Sequence, residues 1–115
     1  MSVIKDKNLA PYGRKKIEWV RSFMPALGQI EKKFEEDQPF KGLKIAVSVH
    51  REAKTANLGL VLKKGGADVF LTGCNPLSTQ DDVAAAVAQM GVETFGLYGV
   101  SEKEYEDLLA QTLAC

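Results

Sequence analysis

From residue 43 onward, short apolar runs alternate with longer amphipathic ones. The runs at 43–49, 67–71 and 94–97 lack a clean in–out alternation, which is the pattern of strands buried on both faces of a parallel sheet. Between and after them lie helical patterns at 52–64, 80–90 and 103–113. The first closes on Gly65-Gly66 and the second on Gly91, both C-terminal helix stops. The third opens on "SEKE", where Ser101 can cap while Glu104 reaches back to it. Strand, helix, strand, helix, strand, helix implies βαβ units with right-handed crossovers. The predicted fold is therefore a three-layer α/β domain with a small parallel sheet, a Rossmann-like half in βαβαβα order.

The first forty residues follow a different period. In "NLAPYGRKKIEWVRSFMPALGQIEKKFEED" the apolar positions Ile17, Trp19, Val20 and Phe23, then Leu27, Ile30 and Phe34, recur at spacings of three and four. That predicts two helices preceding the sheet. Pro11 and Pro25 suit first turns, where a missing N–H costs nothing, and "SFMP" separates the helices because the residue before proline disfavours the helical region. Tyr12 and Trp19 are expected to pack within this pair. "DQPFKG" marks a loop. The organisation is one domain over residues 1–115, with a helical segment at 1–40 and the βαβαβα portion at 41–115.

Charge narrows the partners. Fifteen basic residues balance fifteen acidic ones, so no global field favours nucleic acid or an anionic membrane. Arg14-Lys15-Lys16 and Lys63-Lys64 read as solvated helix faces. No run approaches the ~18 apolar residues of a membrane span, and "MSVIKDKNLAP" lacks the apolar segment of a signal peptide. Cys74 and Cys115 have neither metal-ligand spacing nor a disulfide framework. With a single histidine this leaves no expected metal site and points to a reducing cytoplasm.

In open α/β sheets the ligand crevice lies beyond the carboxyl ends of the strands. Three segments meet there: Val49-His50, "TGCNPLSTQ" and "YGVS". The first turn, "SVHREAKT", contains no glycine, so it cannot bring its backbone against a dinucleotide pyrophosphate. In the second, Pro76 stiffens the turn, Ser78 or Thr79 can cap the next helix, and Asp81 and Asp82 complement its positive end. Asn75 and Gln80 suit hydrogen-bonded recognition of a polar small molecule. Cys74 is expected to be a small buried residue, its only candidate base being His50 in another loop. The sum, with His50, Asn75, Thr79 and Gln80, is a binding half-site lacking a paired carboxylate, a nucleophilic triad or a metal set.

"GRKKIEWVRSFMPAL", "PFKGLKIAVSVH" and "GGADVFLTGCNPLSTQDDVAAAVA", with the spacing between them, resemble the N-terminal part of the substrate-binding domain of adenosylhomocysteinase, in particular its archaeal-type members. The resemblance implies reversible cleavage of S-adenosylhomocysteine to adenosine and homocysteine, in a chain several times longer that carries a separate NAD domain. It implies no cofactor in this chain, a small-molecule nucleoside ligand (adenosine or S-adenosylhomocysteine), and either homo-oligomers or a partner chain carrying the NAD domain. By itself the chain is expected to be inactive. The alternative is a stand-alone non-catalytic relative acting as a nucleoside-binding, regulatory or assembly module.

Position by position, His50 matches a histidine in acid/base work near the 5′ leaving group, a task that suits imidazole. Thr55 matches a threonine of the following helix, and Ser78, Thr79 and Gln80 match "STQD" at the substrate crevice. The departures are Glu52, where the family usually has threonine, and Lys54, where it has Glu or Gln. Those two positions hold the adenine edge. Adenine's exocyclic amine needs an acceptor, and an ammonium offers only donors; a mispaired buried polar group costs ~1–3 kcal/mol.

Overall fold

The computed structural model describes residues 2–50, 52–73, 77 and 79–114. The helices are α1 (Ala10–Ser22), α2 (Pro25–Asp37), α3 (Ala53–Lys64), α4 (Asp81–Gln89) and α5 (Glu102–Ala114). The strands are β1 (Lys44–Ser48), β2 (Asp68–Thr72) and β3 (Glu93–Phe95). Element types and order agree with the alternation of patterns, and each boundary moves by three residues or fewer. The three strands form one parallel sheet in the order β1-β2-β3. Val47 lies opposite Leu71, and Leu71 opposite Thr94.

The local signals act as their chemistry dictates. Pro11 and Pro25 sit in the first turns of α1 and α2. Ser101 and Glu104 close a capping box, with Glu104 N donating to Ser101 Oγ at 3.2 Å and Ser101 N to Glu104 Oε2 at 2.9 Å. Gly66, at φ +97°, takes the left-handed conformation that ends α3.

One apolar core joins α1, α3, α4 and one face of the sheet. Ile17, Ala56, Val83, Ala86 and Val87 are sealed against Val69 and Leu71, with Ile45 and Val47 partly buried beside them. α1 lies across α3 and α4 as an outer layer, so close that a Cβ on Gly13 would sit 1.9 Å from Asp82 O. Leu108 and Thr112 of α5 are buried outside this core, and α5 touches all three strands.

Two expectations need correction. β1 is not buried on both faces: Lys44, Ala46 and Ser48 are exposed and Ile45 and Val47 half-buried. It is an edge strand among the described residues, so its apolar run feeds one face only. In α2 the buried residue is Glu31, held by two hydrogen bonds from Arg21 at 2.7 and 2.8 Å, while Ile30 is exposed. The basic clusters lie on exposed helix faces, as expected, and some of their side chains also make surface contacts. Arg14 donates to Gln89, Lys16 pairs with Asp82 at 2.7 Å, and Lys63 donates to Gly91 O.

The N-terminal residues also join the sheet. Val3 bridges Phe95 in parallel, with Val3 N donating to Thr94 O at 2.7 Å and Gly96 N to Val3 O at 2.9 Å. Ser2 Oγ accepts from Thr94 N.

Candidate functional site

The parallel sheet brings the loops after β1, β2 and β3 to one end, and side chains tie them together. Ser48 Oγ, the last group of β1, donates to Gly73 O at 3.2 Å and joins the first loop to the second. Asp81 Oδ1 accepts from Tyr98 N at 3.0 Å and joins the second to the third. Lys5 lies 3.8 Å from the same carboxylate. Asp82 takes Lys16 of α1 and its own helix's Val83 N. These aspartates thus do more than complement the helix end: each anchors a neighbouring element. Gln80 is the N-cap of α4 and makes no side-chain capping bond, and Thr79 before it is buried.

Beside this end lies an open cavity of about 460 Å³ between α1 and the starts of α3 and α4. Glu52, Lys54 and Gln80 line it together with Lys15, Lys16 and Trp19 of α1. Glu52 is the extended N-cap of α3 and makes no capping bond, and both it and Lys54 are exposed. The fold therefore brings three predicted residues to one space. It does not bring all of them: exposed His50, half-buried Thr55 and buried Thr79 lie outside the lining. Asn75 and Ser78, with Cys74, Pro76 and Cys115, fall outside the described residues.

The lining also holds what sequence reasoning missed. Tyr12 and Trp19 were expected to pack within the helical pair, yet they are 63% and 66% exposed. Ile17 and Val20 face the core, and Trp19 lies off that face by helical geometry. The available signal was the adjacency of Trp19 to Val20, which cannot both lie on one narrow apolar stripe.

The first turn carries no glycine, the residue a pyrophosphate-binding turn uses for close backbone approach, and Glu52 opens α3 behind it. Among the described residues, no three His, Cys, Asp or Glu side chains cluster as metal ligands, and no helix is long and apolar enough to cross a membrane.

The model of the S-adenosyl-L-homocysteine hydrolase family matches residues 1–115. The chain belongs to the S-adenosyl-L-homocysteine hydrolase family. Within that family it is 52% identical, over 96% of its length, to an adenosylhomocysteinase of Pyrococcus abyssi. It is 51% identical over the same share to an S-inosyl-L-homocysteine hydrolase of Methanothermobacter thermautotrophicus. A second S-inosyl-L-homocysteine hydrolase, from Methanococcus maripaludis, is 49% identical over 98% of the chain. The chain spans about a quarter of the length of these curated relatives, 26–27%. Overall identity to family members with the two names is the same within a few per cent, so it does not choose between their purine bases.

Proposed function

We propose that this chain is the substrate-recognition portion of a thioether hydrolase acting on an S-nucleosyl-homocysteine, and that its base site reads a 6-oxopurine, the S-inosyl substrate, in preference to adenine. The observation that carries this is Glu52 and Lys54 lining one cavity. In the family's usual pattern those positions present a hydroxyl and an acceptor to the adenine edge. Here they present an acceptor only and a cationic donor only, so the second position loses its acceptor and the first loses its donor. Between adenine and hypoxanthine the base edge inverts: the 6-amino donor becomes a 6-oxo acceptor, and the N1 acceptor becomes an N1–H donor. Lys54 then donates to O6 and Glu52 accepts from N1–H, each in a charge-assisted bond. The names of several relatives agree with this base.

His50, at the carboxyl end of β1, is the proton carrier for the thioether step. In the net reaction water's hydroxyl ends on the nucleoside 5′ carbon and its proton on the homocysteine sulfur. The family's redox chemistry on NAD requires parts that this chain does not span, and its own first turn carries no glycine. Such a division of labour fits a cytoplasmic enzyme in which β1 gains its missing neighbour from the remaining three quarters of a family-length protein, joined to this chain or separate from it. Ala46 supports that placement. Asp68 N donates to Leu43 O, so in the parallel register Leu43, Ile45 and Val47 address β2, and the backbone of Ala46 faces the open edge.

Calorimetric titration tests the base. Inosine is expected to bind at least tenfold more tightly than adenosine, and the double variant Glu52→Thr, Lys54→Gln to reverse the order. Equal or tighter binding of adenosine by the unaltered chain rejects the 6-oxopurine reading. Turnover of S-inosylhomocysteine by the chain with NAD, read as released thiol, would show that the division of labour is wrong.

A further inference from the structure

Trp19 is a large indole left two-thirds exposed on a helix whose Ile17 and Val20 turn inward. Core packing does not explain it, and an exposed aromatic on the wall of a concave site marks a contact surface. Its ring is braced by Phe23, one turn on, with centroids 4.7 Å apart and planes at 45°. It lines the same cavity as Glu52 and Lys54, and Lys15, one turn earlier on α1, lines it too. The cavity thus joins one indole to a donor and an acceptor at the start of a different helix.

We infer that Trp19 is a specificity-determining residue of the base site, the platform on which the purine ring stacks while its edge meets Lys54 and Glu52. The inference rests on the base-site reading above and adds a part to it that lies in the N-terminal helix, away from the strand ends. A flat heteroaromatic ligand is the class this wall selects: a stacked face provides affinity without reading identity, and the Glu52–Lys54 pair reads the edge. A ribose alone or an aliphatic amino acid gains nothing from it.

Trp19 is the protein's sole tryptophan, so its fluorescence reports on this cavity alone. Inosine added to the 115-residue chain, with excitation at the red edge of indole absorption, is expected to quench the emission. The quenching should saturate at the dissociation constant found by calorimetry. Trp19→Ala is expected to weaken inosine binding about tenfold or more, and Trp19→Phe to restore most of it, with both melting within a few degrees of the unaltered chain because the side chain is exposed. Heat of binding without quenching, together with an unchanged affinity in Trp19→Ala, overturns the role of Trp19 and leaves the base reading standing. No heat from the unaltered chain at millimolar inosine overturns the base reading, and the platform with it. Equal affinity of Trp19→Ala and Trp19→Phe, both tenfold weaker, would reject stacking as the cause.

Discussion

The sheet ends differently on its two sides. At the β3 edge, the backbone of Val3 runs parallel to the strand and exchanges hydrogen bonds with Thr94 and Gly96, while the Ser2 hydroxyl takes a further N–H. At the β1 edge, among the described residues, no strand follows, and Lys44, Ala46 and Ser48 are exposed. Exposed strand edges are usually shortened, charged or covered. One edge here is covered by the chain itself. The other, among the described residues, is open along β1, whose carboxyl end leads into exposed His50. The difference teaches that the chain closes one edge of its own sheet and leaves the other to be paired or exposed.

The largest expected effect lies between the two edges, where α1 packs on α4. Gly13→Val forces a branched side chain into the backbone of α4 at Asp82. The cost is expected near the top of the ~1–3 kcal/mol range for overpacking, a fall in Tm of about 10 °C for a domain of this size. An unchanged Tm would mean that α1 and α4 do not approach this closely. Val3→Pro removes one donor to Thr94 O and is expected to cost about 0.5–1.5 kcal/mol, with faster hydrogen exchange along β3. Ala46→Pro is the smallest of the three. A proline is tolerated on an edge strand whose N–H faces outward, so a loss under about 1 kcal/mol is expected in this chain. The same substitution should abolish co-purification with a polypeptide supplying the rest of a family-length relative. If Ala46→Pro costs as much as Val3→Pro in the isolated chain, the β1 edge is already occupied and the comparison fails.

Much of this was legible in the residues. The capping box at Ser101 and Glu104, the prolines opening α1 and α2 and the glycine stops all act within a few residues of themselves. Local chemistry therefore sufficed for them. Strand type was legible too, but not the burial of β1: an apolar run reports what a strand prefers, and the sheet's order determines what covers it. The same limit applies to Trp19 and Tyr12. Their helical spacing reads as core, yet the face that turns inward was chosen by Gly13 and Ile17 seating α1 on α4 and its neighbours. Thr79 looked like a cap because of its place before Asp81, but the chain buries it and leaves Gln80 at the helix start.

At the candidate site the division is similar. The motif around "STQDD" and the departures Glu52 and Lys54 could be read without coordinates, because they depend on residue identity at a known spacing. Their meeting with Lys15, Lys16 and Trp19 could not, since α1 and the start of α3 are separated by more than thirty residues of chain.

By itself, then, the sequence determined the family, the order of helices and strands and the two departures Glu52 and Lys54 from the family's pattern, all of which follow from local propensity and side-chain identity. Only the tertiary structure decided which edge of the sheet stays open, which aromatic side chains face outward, and that the pair shares its cavity with an indole. Those outcomes depend on how distant segments compete for one core, and that competition is settled when the chain packs.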